Sequence, residues 1–336
     1  MVVLFSTSNL KYLIPFLVVL YSLPLIPQPP YIMHVIVVTM LWAYLATAWS
    51  ILGCFAGQLS LGHAAFFGIG AYSSYFLTTW YNVPPILSLV VGGSLASAIS
   101  IGIGYPCFRY GLRGVYFTLA TIAFAEILKD IFIYLRDITG GSLGVWLPMA
   151  QEGIVNLYFI NKEPYYYIIT TMWLSLILIL SAARRFKDYL IAIREDEDVA
   201  ASVGINVTKY KLVALLISSY FTGLGGAFYL YYFRYINPYI TFGLDTSLQM
   251  VLLSIFGGMY SLWGPFIGSV ILTPIGEYLR IVLGGAYVGS HLVIYGVLLI
   301  IVIRFLPKGV VGTLKLVYDK FVVRAGGYAV KRSESF

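Results

Sequence analysis

The sequence predicts an all-α integral membrane protein, a polytopic helical bundle of about ten transmembrane segments with broken or re-entrant glycine-rich elements. Three observations carry this. Sixty per cent of the residues are hydrophobic and only 10% are charged, whereas a soluble domain carries about 25% charged residues. The apolar residues gather in runs near the ~20 residues that cross a bilayer. Between two of the runs lies 57–72, GQLSLGHAAFFGIGAY, a mixture of small and polar residues for which a lipid-facing helix has no use.

The runs fall at 11–27, 31–52, 64–81, 86–107, 114–135, 165–183, 211–233, 246–260, 264–283 and 291–306. The first follows Lys11, ends among Pro24, Pro27, Pro29 and Pro30, and has no small-residue cleavage site. It therefore reads as an uncleaved span rather than a removed signal peptide. The eighth is short and glycine-rich, as a re-entrant or broken helix would be. The whole reads as one domain over 1–336, with its core at 31–310, a charged segment at 184–210 and a basic tail at 307–336.

Orientation follows from the basic residues. With both termini on the inner side, five of the 21 Lys and Arg residues face out: Lys129, Arg136, Lys162, Arg234 and Arg280. The remaining sixteen face in, as expected of cytoplasmic loops. This placement accounts for the net charge of +7 without nucleic acid as a partner. Tyrosines near the span ends, Tyr165 to Tyr167 and Tyr231–Tyr232, read as an interfacial belt. Cys54 and Cys107 lie in or beside apolar runs, which makes a disulfide framework unlikely and shows no metal-type spacing.

At membrane depth, small residues let backbones touch, and polar groups need partners. Gly57, Gln58, Ser60, Gly62, His63 and Gly68 are therefore expected inside the bundle, near a pathway or at a helix contact. His63 reads first as a hydrogen-bonded histidine, with a proton relay or ligand as the alternative. The pattern has an echo: Gly57-x-x-Ser60-Leu61 returns as Gly258-x-x-Ser261-Leu262, each after an apolar run. Paired breaks of this kind mark transporters built from repeats, so Gly258 and Ser261 join the set.

Two hydrophilic stretches remain. The outer one covers 137–164. The inner one contains four acids, Glu195 to Asp198, which suit a helix N-terminus, and Gly204, which suits a left-handed stop. Together they describe a short capped helix between two spans. Glu126, Lys129 and Asp130 share a helical face, and Lys129 can pair locally with either acid. Glu126 is thus either a pathway group or half of a structural pair. No phosphate-binding GxxxxGK[ST] loop is present, and no catalytic constellation stands out.

Several segments resemble, in order, the LivM-type permeases of branched-chain amino acid ABC importers. They are 57–72, the run RGVYFTLATIAFAE at 113–126, TGGSLG at 139–144, AIREDEDVAASVGIN at 192–206, FGGMYSLWGP at 256–265 and FLPKG at 305–309. The resemblance implies a transport subunit without a catalytic site or cofactor of its own. It implies a second homologous permease, two ATP-binding cassette subunits that use ATP and Mg, and an extracytoplasmic substrate-binding protein. It also implies a multi-pass location in the cell membrane. Asp198-Val199-Ala200-x-x-x-Gly204 is similar to the E-A-A-x-x-x-G coupling loop of such importers, with Asp for Glu and Val for the first Ala. On that likeness Glu197, Asp198, Val199, Ala200, Ala201 and Gly204 form the coupling segment, and the small Ala200 and Ala201 suit insertion into an ATPase groove. Related permeases carry urea or short amides, and no charged pair is assignable to the two ends of an amino acid. A further alternative is an ion-coupled secondary transporter working through Glu126 or His63.

Overall fold

The computed structural model of the protein describes residues 15, 17–259, 261–284, 296–297 and 309–313. The expected first span at 11–27 is only partly among them. The last span at 291–306 and the basic tail at 307–336 lie almost wholly outside them.

Helix α1, Pro30–Ser50, starts on a proline whose missing N–H costs nothing at a helix start. It is apolar all round and, Trp42 apart, buried from Val37 to Ser50, as befits a central helix. It widens into a π-type turn over Ile51–Phe55 and then stops. An irregular stretch, 56–62, leads to α2, His63–Trp80. Then come α3, Pro85–Arg109, and α4, Val115–Tyr134. After the 135–162 segment follow α5, Glu163–Ala182, α6, Arg184–Glu195, and the single-turn α7, Glu197–Ser202. Helix α8, Val207–Phe233, returns through the bundle. A short α9, Leu244–Gly257, and α10, Gly264–Gly284, form an antiparallel hairpin. One two-residue ladder interrupts the helical pattern: β1, Val145–Trp146, pairs antiparallel with β2, Tyr235–Ile236.

Among the described residues, five stretches are long and apolar enough to cross a membrane: Pro30–Phe55, Pro85–Arg109, Glu163–Ala182, Val207–Phe233 and Pro238–Gly257. The chain is a multi-pass helical membrane protein. Its helices touch through glycine. A Cβ on Gly70 would overlap the Gly223 carbonyl, and one on Gly226 would overlap that of Phe67, so α2 and α8 meet backbone to backbone. Apolar residues of α3 and α4, such as Leu87, Ile99, Leu119 and Ile127, remain exposed outside this core.

The expected tyrosine belt is corrected in part. Tyr165, Tyr166 and Tyr231 are buried in helix packing rather than set at an interface. The reason is local hydrogen bonding. The Tyr166 hydroxyl donates to the Leu20 carbonyl at 2.7 Å, and the Tyr231 hydroxyl meets Thr78 at 2.6 Å and Ser88 at 2.5 Å. A phenol satisfied inside the bundle has no need of the headgroup region.

Candidate functional site

The inner acidic segment folds as two caps around a turn. Asp196 accepts hydrogen bonds from the backbone N–H groups of Asp198 at 2.9 Å and Val199 at 3.0 Å, which starts α7. Gly204 ends it with φ +89°, and Asn206 caps α8 by accepting from the Lys209 N–H at 3.0 Å. The helical period then divides the turn. Glu197 and Ala200 face the bundle, with Ala200 only 3% exposed, while Val199 and Val203 face outward at 60% and 71%. The expected outward role is therefore corrected for Ala200, whose methyl packs inside, while Ala201, Val199 and Val203 are the exposed apolar groups.

Glu197 is the junction of the site. Its carboxylate accepts from Gln58 Nε2 at 3.1 Å and forms ion pairs with Arg113 Nε at 2.9 Å and with the Lys211 ammonium. Lys211 is almost fully buried, with Phe108 5.7 Å below it, so its charge requires this partner. Arg113 also grips Asp198 with two hydrogen bonds, at 2.9 and 3.2 Å. That grip and the Arg113 charge hold the Asp198 carboxyl below the usual carboxylate range. The Asp198 hydrogen bond and the Glu197 charge in turn raise the Arg113 guanidinium.

The same network reaches the 57–72 motif. Arg194 Nη1 donates to the Cys54 carbonyl at 3.0 Å. Gly57 sits at φ +69°, and a Cβ there would lie 2.6 Å from Arg194 Cγ. The irregular stretch 58–62 then runs against the bundle, with several of its backbone groups bonded to side chains. Trp49 Nε1 donates to the Ser60 carbonyl at 2.8 Å and Thr118 Oγ1 to the Leu59 carbonyl at 2.7 Å. The Leu61 N–H donates to Thr121 Oγ1 at 3.2 Å, and Gly62 lies against the Thr121 backbone. His63 bonds Ser60 Oγ at 2.9 Å and Ser218 Oγ at 2.7 Å, and Gly68 lies against the Phe242 ring.

The echo at 258–268 is also a break. Gly258 ends α9 at φ +131°, and the Ser261 N–H closes a turn onto the Gly258 carbonyl at 3.2 Å. Gly309 packs against Gly258 there. Glu126 stands apart from both breaks. It pairs with Lys129 on its own helix.

Sequence reasoning did not identify Arg113, Arg194 and Lys211 as the partners of the acidic turn. A signal existed for Lys211: a lysine inside an apolar span needs a nearby acid, and Glu197 stands fourteen positions before it.

A bundle of apolar helices long enough to cross a membrane defines a multi-pass membrane protein. The chain belongs to the family described as branched-chain amino acid transport system, permease component, whose model matches residues 31–303. It is 26% identical over 281 residues to the high-affinity branched-chain amino acid transport system permease protein LivM of Escherichia coli K12, covering 74% of this chain and 65% of that protein. The chain thus spans about two thirds of the length of that relative. It is 26% identical over 292 residues to LivH of the same system and organism, covering 81% of this chain and 91% of LivH. No solved structure matches the chain.

Proposed function

We propose that this chain is one permease subunit of an ATP-driven importer that moves branched-chain or other hydrophobic amino acids across the cell membrane. Family membership and the names of the LivM and LivH relatives support the substrate class. Because LivM and LivH are both permeases of one system, a second homologous permease is the natural partner. Two ATP-binding cassette subunits, holding ATP and Mg, and an extracytoplasmic binding protein complete the assembly. Both termini and the 184–210 segment face the cytoplasm in this reading, and about ten spans cross the membrane.

The observation that carries the mechanism is the Glu197 junction. An exposed turn carrying Val199 and Val203 offers apolar surface to another subunit. Glu197 on the same turn is bonded to Gln58, next to the broken segment. Displacement of the turn by an ATPase is thereby passed directly to 57–62. An ion-coupled reading has less support, since His63 is engaged by two serines and Glu126 by Lys129.

The test is uptake into liposomes that contain the whole importer, with leucine, isoleucine, valine and urea as solutes. ATP-dependent accumulation of the three amino acids supports the reading. Accumulation of urea alone assigns the amide alternative, and uptake driven by an ion gradient without ATP overturns both.

A further inference from the structure

A cavity of about 290 Å³ opens among α1, α2, α8, α9 and α10, close to the lower end of the ~300–1,000 Å³ typical of small-molecule sites. One side is apolar: Trp42, Phe233 and Ile240 keep accessible surface there, backed by the fully buried Leu41, Leu45 and Phe67. The other carries Asp245 on the first turn of α9, and Glu277 and Arg280 toward the end of α10. Arg280 is held only loosely, its 62% exposed side chain touching Glu277 at 3.5 Å. Asp245 is exposed and forms no ion pair among the described residues.

The cavity also adjoins the broken segment. Phe67 lies one turn beyond His63 in α2, and the Ala64 N–H donates to Ser247 Oγ of α9 at 2.8 Å. A solute leaving the cavity inward therefore meets the element that the Glu197 junction moves.

Both charge signs beside an apolar wall suit a solute that carries both signs and an apolar group. Urea carries neither charge and has no apolar side chain. We propose that this cavity is a transit site for the free α-amino acid: Arg280 pairs with its carboxylate, Asp245 takes its ammonium, and Trp42, Phe233 and Ile240 receive its side chain. Arginine suits the carboxylate because its planar fork donates two parallel hydrogen bonds. Glu277 keeps the guanidinium paired when the cavity is empty. The inference rests on the amino-acid importer reading and assigns, within this chain, the groups that separate an amino acid from urea.

The experiment uses the assembled importer with Cys54 and Cys107 replaced by serine and a reporter cysteine, Gln249→Cys, in the cavity. Labelling by a small thiol reagent is timed with leucine, leucinamide or urea present, and leucine uptake per assembled complex is measured in parallel. Leucine should slow labelling several-fold, while urea and leucinamide, which lack a carboxylate, leave it unchanged. Arg280→Gln should abolish that protection and lower leucine uptake about tenfold, the factor expected for one charge-assisted contact. Ile240→Trp, which narrows the cavity without touching a charge, should also block uptake. Wild-type uptake by an importer carrying either Arg280→Gln or Ile240→Trp overturns the site and leaves the importer reading intact. An unsubstituted importer that takes up urea and no leucine overturns the reading beneath it.

Discussion

Glu197 carries several obligations on one carboxylate. Lys211 is buried beside it with a side chain 3% exposed, and Glu197 itself is 13% exposed. Removing the acid leaves a buried ammonium with no counter-charge, a loss on the order of 3 kcal/mol. Glu197→Gln should therefore lower the melting temperature of the complex and reduce uptake per ATP hydrolysed. Adding Lys211→Gln removes the orphaned charge, so the double variant should be more stable than Glu197→Gln alone. A double variant that loses the sum of two single losses would show that the pair does not interact. Asp198 behaves differently because it is exposed. Its folded-state carboxyl titrates below its unfolded value, so any stabilisation it brings is present above about pH 4 and is lost as the pH falls through the folded value. The raised Arg113 does not titrate in that range. The stability difference between wild type and Asp198→Asn should stay flat from pH 6 to 8 and shrink only in stronger acid. A difference that changes near neutrality would point to another group.

At the scale of elements, α7 is one turn long and depends on its ends. Gly204 at φ +89° has open space where a Cβ would sit, so substitution there meets no clash and costs only backbone strain. For Gly204→Val that strain is about 1 kcal/mol or more, enough to redirect a single turn. The expected result is weaker ATPase docking, or hydrolysis that no longer drives uptake, with the membrane bundle intact. Wild-type docking together with wild-type transport per ATP would remove α7 from the coupling path. This element was readable in the sequence because its signals are local: four acids and a glycine. Helix bounds were readable for the same reason, as α2 at His63–Trp80 against an expected 64–81 shows. The Glu197 partners were not, because Gln58 lies 139 positions away and Arg113 reaches the neighbouring Asp198 across 85. No local pattern encodes such a pairing. The cavity was hidden for that reason too, since residues between Val38 and Arg280 line it. The tyrosines misled because sequence position near a span end says nothing about which neighbour offers a carbonyl.

For the whole molecule, the decisive geometry is that the two hydrophilic regions stand at opposite ends of one helix. Helix α4 begins at Val115, next to Arg113 and the Glu197 junction, and ends at Tyr134, just before the 136–144 turn. Twenty helical residues extend about 30 Å, the thickness of a hydrocarbon core. Ser142 and Ser202 are both exposed, one near each end. In the orientation proposed from the charge bias, the 184–210 end is the cytoplasmic one. Cys54 and Cys107 are buried and free, so serine replacements give a background without reactive thiols. In that background Ser142→Cys should label with an impermeant thiol reagent applied to intact cells. Ser202→Cys should label only after the membrane is opened. The reverse pattern would invert the molecule and place α7 where no cytoplasmic ATPase could reach it. Labelling of both positions from outside would mean that α4 does not span the membrane, and a displacement of the Glu197 junction would then have no transmembrane direction.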